Sequence, residues 1–472
     1  MLDPKLSTTD TVTITPPSSP SLIAARIDRI PFGRFHTRLM SQLGAGTFFD
    51  GFDAMTIAVV LPLIVKSFGI SLAEAGLIIS AGYVGQWIGM LLAGALADRV
   101  GRRRPFIISL VLFGGMSLAC AFAWNETSLL VFRLVQGLGL GAEIPIAAIL
   151  LSEYLGRHGR GRSFGIYQSL FAWGIFFAPL TALAATSAFG PETGWRVLLA
   201  IGALPLVIAA WAYFALPESA RWLAVKGRAA EADSYVRAME DDAARHGTEL
   251  QKPEEPSTQT EDTFRFSELL SPAYRARTLM LAVVWFATFF VNYGCLSWLP
   301  TMYVQVGRLP QSQSLLLAIV TSGLQLVVIY IVVSLIDRVG RRPLLIAGLA
   351  VAAIGALYGF IAIGLLGHTS WQIMFVSGCT MVVGTTVPAV FLYLYTSELY
   401  PTRMRGWATS ATASLNKLAS IIAPTIFGFM LSGHGGTPAV FTALGVAAAI
   451  ALAAVAFGAI ETRNRSLEET SA

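Results

Sequence analysis

The 472-residue chain is expected to be an all-α membrane protein, with twelve transmembrane helices in two pseudo-symmetric six-helix bundles. Three observations lead there. Hydrophobic residues make up 55% and charged residues 13%, with a mean hydropathy of +0.64, whereas an average soluble domain is roughly 25% charged. The basic turn Asp98-Arg99-Val100-Gly101-Arg102-Arg103 recurs as Asp337-Arg338-Val339-Gly340-Arg341-Arg342, 239 positions later (337 minus 98), so the two halves repeat one unit. The third observation is where the cations fall. The loops after spans two, four, eight and ten hold Arg99, Arg102, Arg103, Arg104, Arg157, Arg160, Arg162, Arg338, Arg341, Arg342, Arg403 and Arg405, against Lys66, Arg196 and Arg308 on the other face. Twelve against three puts the first set in the cytoplasm, with both termini.

With about 20 apolar residues per crossing, the spans run over 39–66, 73–97, 105–123, 127–152, 163–187, 194–215, 276–304, 312–336, 343–366, 370–397, 406–431 and 437–460. That divides the chain into a tail (1–38), an N-terminal bundle (39–216), a linker (217–274), a C-terminal bundle (275–461) and a second tail (462–472). A multi-pass protein of the cell membrane, in a bacterium the inner membrane, is expected, working as a monomer. The net charge of +5 is not laid out as a phosphate-tracking patch, so no nucleic-acid partner is expected. Cys120, Cys295 and Cys379 fall inside apolar spans without metal-ligand spacing. No phosphate loop or nucleophile with a base appears, so neither an enzyme nor a metal or other cofactor is expected.

Residues 1–21 form a Ser/Thr/Pro-rich tail without a signal peptide, so span one serves as the insertion signal. Ile23 to Met40 alternates apolar residues with Arg26, Arg29, Arg34 and Arg38, which suits a segment on the inner leaflet or a solubilised lead-in. Span one holds Phe48-Phe49-Asp50-Gly51-Phe52-Asp53. An acid centred in hydrocarbon costs at least roughly 2.5 kcal/mol, so Asp50 and Asp53 are expected to face a polar cavity or a cation. Span four offers Arg133, then Gln136 and Glu143, with glycines at 137, 139 and 141 for close packing. By residue count Asp53 and Arg133 differ in depth by about 10 Å at 1.5 Å per residue, within reach of an extended arginine, and Asp50 lies level with Glu143. Glu143 reads equally as a protonated packing residue and as a coupling acid.

Span four ends in Ser152-Glu153-Tyr154 and span ten in Ser397-Glu398-Leu399-Tyr400, so this feature is duplicated as well. Glu153 with Asp98, Arg99, Arg102 and Arg103, and Glu398 with Asp337, Arg338, Arg341, Arg342 and Arg403, are expected to form ion-pair networks that latch the cytoplasmic side. The linker opens with Pro217-Glu218-Ser219-Ala220-Arg221-Trp222 and has a helical stretch near Ala229 to Arg245. Span seven is aromatic and interrupted, with Trp285, Asn292, Tyr293, Gly294, Trp298 and Pro300, and span ten repeats the theme with Pro388, Tyr393 and Tyr395. Span eleven carries Asn416-Lys417 close to the bilayer centre. A lysine there needs a partner; an anionic substrate is one, and an acid across the bundle is another.

Taken together, the doubled Asp-Arg-x-Gly-Arg-Arg turns, Arg133-x-x-Gln136-Gly137, Pro217-Glu218-Ser219-x-Arg221-Trp222, the Tyr395-x-x-Glu398-x-x-Pro401 run and Glu461-Thr462-Arg463 resemble the major facilitator superfamily, in its sugar-porter-related branch. Asp50-Gly51-Phe52-Asp53 resembles aromatic-acid proton symporters. Gly141-Ala-Glu143-Ile-Pro145 and Tyr293-Gly294-x-x-x-Trp298 look like bacterial niacin transporters and their synaptic-vesicle-glycoprotein relatives. The resemblance implies two six-helix bundles around a central cavity that opens alternately to each side, with Asp53 and Arg133 as the proton-coupling pair. Asn292 and aromatics stand where sugar porters carry amides, which favours a small aromatic carboxylate, niacin (nicotinate) first, bound by Gln168, Trp173, Asn292, Tyr293, Trp298, Tyr393, Tyr395, Asn416 and Lys417. A sugar or organic-ion carrier, and a non-transporting receptor of the same fold, are the alternatives.

Overall fold

The computed structural model describes residues 19–156, 160–245, 250, 252–253, 266–433 and 435–463. Twelve membrane-length passes emerge, which we label α1 to α12. In the first half these are α1 (Arg34–Phe68), α2 (Leu72–Val100), α3 (Arg103–Ala121) and α4 (Glu126–Tyr154). Next, the helix Arg160–Ile201 breaks at Gly190, where φ is 76°. We call the part before the break α5 and the part after it, continued by Pro205–Ala215, α6. The second half holds α7 (Arg275–Gln305), α8 (Gln311–Val339), α9 (Arg341–Leu365), α10 (Trp371–Glu398), α11 (Thr402–Leu431) and α12 (Gly436–Gly458).

Helix pairs repeat between the halves: α2 lies on α4 as α8 lies on α10, α1 on α5 as α7 on α11, and α3 on α6 as α9 on α12. The bundles meet along α2 with α11, α8 with α5, and α1 with α7. The first two of these contacts are exchanged by the pseudo-symmetry.

The duplicated turns have the same construction. Gly101 has φ 96° and Gly340 φ 103°, a backbone region that disfavours any side chain. Each turn places the unpaired N–H groups of the next helix on a carboxylate from the end of its own half. Glu218 accepts from the Arg102 and Arg103 amides at 2.7 and 3.2 Å, and Glu461 from those of Arg341 and Arg342 at 3.0 Å each. An acid at a helix N-terminus is the favourable placement. Burial pushes the Glu461 carboxyl up, but backbone N–H donors from Arg463, Arg341, Arg342 and Thr462 outweigh it and hold the group below its ordinary value.

The segment before α1 docks on protein rather than on a leaflet. The helix Pro20–Asp28 buries Ile23 and Ile27 against the linker helices Ala220–Val225 and Ala229–Arg245. Arg26 pairs with Asp233 and Glu240 at 2.6 and 2.7 Å, and Arg29 with Glu240 at 2.5 Å. Its apolar face and its cations both have protein partners.

Candidate functional site

Charged side chains inside the membrane span gather where α1, α2 and α4 face α7 and α11. The glycines of α4 set this up. A Cβ on Gly141 would lie 1.9 Å from the Gln86 carbonyl oxygen, and one on Gly137 2.2 Å from that of Gly82. With backbones in contact, α4 delivers Arg133 beneath α2 and onto α1.

Arg133 Nη1 donates to both oxygens of Asp53, at 2.9 and 2.8 Å, and to Gln136 Oε1 at 2.8 Å. Gln136 Nε2 donates to Asp53 at 3.0 Å, closing a triad. The arginine and aspartate side chains are 4% and 2% exposed, so water does not screen the pair. Arg133 Nε is buried without a hydrogen-bond partner among the described residues.

Below the triad, Asp50 and Glu143 are buried neighbours. The Thr47 hydroxyl lies 3.3 Å from Glu143 Oε1 and 2.7 Å from the Tyr167 hydroxyl, while Glu143 Oε2 has no hydrogen-bond partner among the described residues. Across the interface Lys417 Nζ donates to Gln86 Oε1 at 2.7 Å and is the principal opposite charge acting on Asp50. Tyr83 meets Tyr293 edge to face at 5.2 Å, and the aromatic line continues through Phe289 and Trp285 to Tyr393.

The remaining expected ligand residues divide. Trp173 reaches across the bundles to the Tyr330 hydroxyl at 3.0 Å. Asn292 is spent inside the C-terminal bundle on Thr385 at 3.1 Å, and Trp298, 1% exposed, on the Pro424 carbonyl at 3.1 Å. Tyr395 is buried away from the interface, its hydroxyl donating to the Ile460 carbonyl at 2.9 Å, because a phenol in a helix bundle seeks the nearest free backbone acceptor. Gln168 is exposed, and the Asn416 side-chain oxygen is buried and without a hydrogen-bond partner among the described residues. An apolar groove of about 920 Å³ between α7, α11 and α12 contains no charged side chain.

Both arginine networks form, each inside one bundle. Arg102 holds Glu153 at 3.0 Å and Asp98 at 3.3 Å; Arg341 holds Glu398 at 3.0 Å and Asp337 at 3.2 Å. Arg103 donates to the Tyr213 carbonyl, and Arg342 to that of Ala456 at 3.0 Å. Arg99 and Arg338 are exposed, and the side chain of Arg403 lies outside the described residues.

The bundles touch at the end opposite these turns. Ser80 donates to the Ile421 carbonyl and accepts from Thr425, both at 2.7 Å, and Gln311 donates to the Val59 carbonyl at 2.8 Å. A Cβ on Gly76 would strike the Pro424 carbonyl oxygen at 2.6 Å. On the basic halves of the same two helices, Gly94 and Gly406 have open space around them. Both networks are intact while the bundles are joined at the other end. Every described partner of each turn comes from its own half, so the networks expected to latch the cytoplasmic side here brace single bundles.

Sequence reasoning missed Gln86, Tyr83, Ser80 and Thr425, and the capping roles of Glu218 and Glu461. Only the last pair left a signal, an acid at the matching end of each half.

The model of the family described as "Sugar (and other) transporter" matches residues 39–472. The chain belongs to that family. This transporter is 32% identical over 454 residues to the niacin transporter of Acinetobacter baylyi, covering 94% of this chain and 99% of the relative. It is also 32% identical over 451 residues to the gallate transporter of Pseudomonas putida, covering 94% and 96%. Its fold matches the partially occluded inward open conformation of the xylose transporter from E. coli with a TM-score of 0.70 at 18% identity, over 92% of this chain and 99% of that one. The protein is a multi-pass membrane carrier of small molecules and not an enzyme.

Proposed function

We propose that this transporter imports a small aromatic monocarboxylate, nicotinate first, together with protons, by alternating access and as a monomer. The observation that carries the reading is Lys417, a cation at the junction of the bundles whose one hydrogen bond among the described residues goes to a neutral amide. Its ammonium keeps donors for a carboxylate, and the rings of Tyr83 and Tyr293, which meet edge to face across the interface, offer edges and faces to a flat substrate. The niacin and gallate transporters among the relatives are named for aromatic acids, which supports the same class.

By the positive-inside rule the arginine-rich end is the cytoplasmic one, so the end at which the bundles are not joined faces inward. A proton on Asp53 cancels the charge that holds Arg133 and Gln136, freeing α1 to move against α4 as the bundles rock. The brace networks keep each bundle rigid during that motion.

Purified protein in liposomes, acid outside, should accumulate labelled nicotinate, and a protonophore should abolish the accumulation. Lys417→Gln should weaken nicotinate binding roughly tenfold, about 1.4 kcal/mol, with little effect on nicotinamide. Equal losses for acid and amide, preferential uptake of a hexose, or binding without uptake would overturn the assignment.

A further inference from the structure

Among the described residues the junction of the bundles and the N-terminal bundle beside it hold three buried acids, Asp50, Asp53 and Glu143, against the buried Arg133 and the half-buried Lys417. Asp53 and Arg133 satisfy each other at 2.8 Å. Lys417 is therefore the base left for Asp50. Asp50 is 3% exposed and, among the described residues, makes no hydrogen bond and no ion pair within 4.0 Å. The groups facing it come from every neighbouring helix: Asp53 on its own helix α1, Tyr83 on α2, Arg133 and Glu143 on α4, Tyr167 on α5, Tyr293 on α7 and Lys417 on α11. Two of these are cations, and Arg133 is already engaged. Lys417 in turn has Asp50 as the charge acting on it, with one of its three N–H donors used by Gln86.

A carboxylate ligand drawn to Lys417 enters a site where an acid already depends on that lysine. Both anions cannot be compensated by one ammonium in a water-poor span, where an unpaired charge is expensive. We propose that Lys417 is a shared counter-ion: Asp50 holds it until the substrate carboxylate takes it over, and the displaced Asp50 then carries a second proton through the membrane. The inference rests on the reading above, that the cargo is an anion moved with protons.

The balance is simple. On the outer side one proton from water adds to the Asp50 carboxylate as the substrate pairs with Lys417. On the inner side the substrate leaves, Lys417 returns to Asp50, and the proton passes to cytoplasmic water. Together with the proton on Asp53, one turnover carries two protons and one monoanion inward, a net transfer of one positive charge. Without the Asp50 proton the cycle is electroneutral.

The test is the reversal potential of labelled nicotinate flux in proteoliposomes clamped by potassium and valinomycin. Wild type is expected to give two protons per nicotinate and uptake accelerated by an inside-negative potential. Asp50→Asn is expected to drop the ratio from two to one, leaving uptake driven by the pH gradient and indifferent to potential. Electroneutral wild-type uptake, or an Asp50→Asn protein that retains two protons, overturns the inference while leaving proton-coupled import standing. Absence of any acid-driven nicotinate uptake by wild type removes both.

A second measurement needs no variant. Calorimetric titration of the wild type with nicotinate, in two buffers of different ionisation heat, should show about one more proton taken up per ligand than titration with nicotinamide, which has no carboxylate to claim Lys417. Equal proton uptake for the two ligands overturns the proposal.

Discussion

Replacing Asp53 with asparagine measures what the buried pair contributes. The carboxylate accepts bonds from Arg133 Nη1 at 2.9 and 2.8 Å and from Gln136 Nε2 at 3.0 Å, and neither charged partner is more than 4% exposed. Asparagine keeps one acceptor oxygen and turns an amide donor onto the donors of Arg133 or Gln136, whichever way it flips. Arg133, whose Nε is already unpartnered among the described residues, becomes an uncompensated buried cation. Stranding such a charge costs about 3–5 kcal/mol, and the lost acceptor is part of the same penalty, so a loss of ~4 kcal/mol is expected. Arg133→Gln alone strands the aspartate and should cost a similar amount. The double variant carries no stranded charge, and its loss should fall short of the sum by at least ~2 kcal/mol. Unfolding in detergent, followed through the ten tryptophans, gives the four stabilities of the cycle. Additive losses would refute the claim that the two side chains act as one unit. All three variants should fail to concentrate nicotinate against a gradient, because in none of them can protonation at position 53 release Arg133 and α1, and the proton on Asp50 does not replace that step.

Gly141→Ala puts a methyl group 1.9 Å from the Gln86 carbonyl oxygen and should cost about 1–3 kcal/mol by overpacking; nicotinate affinity should fall with it, since Gln86 holds Lys417, and a neutral outcome in both would refute the backbone contact. Glu461→Gln should lower stability at neutral pH and leave it unchanged in acid. The folded-state carboxyl lies below its ordinary 4.5, so its contribution is present above that value and is lost as pH falls through the folded-state value; parallel pH profiles for wild type and variant would contradict the capping role. Ser80→Ala with Thr425→Val removes two of the three side-chain bonds described across the closed end, leaving that of Gln311. That should shift the population toward the outward-open form, read as slower labelling of a cysteine placed at Gly406, the three native cysteines being buried; unchanged or faster labelling would show that this contact does not hold the closed end.

Much of the fold was legible because hydrophobic length and arginine placement are properties of the chain itself. The duplicated turns at Asp98 and Asp337 disclosed two equivalent halves, and the acids at 50 and 53 marked α1 as lining a polar interior, since hydrocarbon tolerates them nowhere else. The pairing of Asp53 with Arg133 could be approached from depth along each helix. Register between helices was not legible. Gln86 carries no charge and sits in an ordinary apolar run, so nothing in the sequence marks it as the partner of Lys417. Trp298 and Tyr395 are typical ring-binding residues whose polar atoms happen to lie beside the carbonyls of Pro424 and Ile460.

The sequence by itself determined that this chain crosses the membrane twelve times, which end carries the cations, and which few ionisable residues lie in the interior, because each follows from transfer free energies that are local to a segment. Only the tertiary structure decided which of those charges satisfy each other, that the described partners of each arginine turn lie in its own bundle, and at which end hydrogen bonds join the bundles. Those depend on contacts between helices far apart in sequence, where a one-residue rotation of a helix by about 100° replaces every neighbour a side chain has.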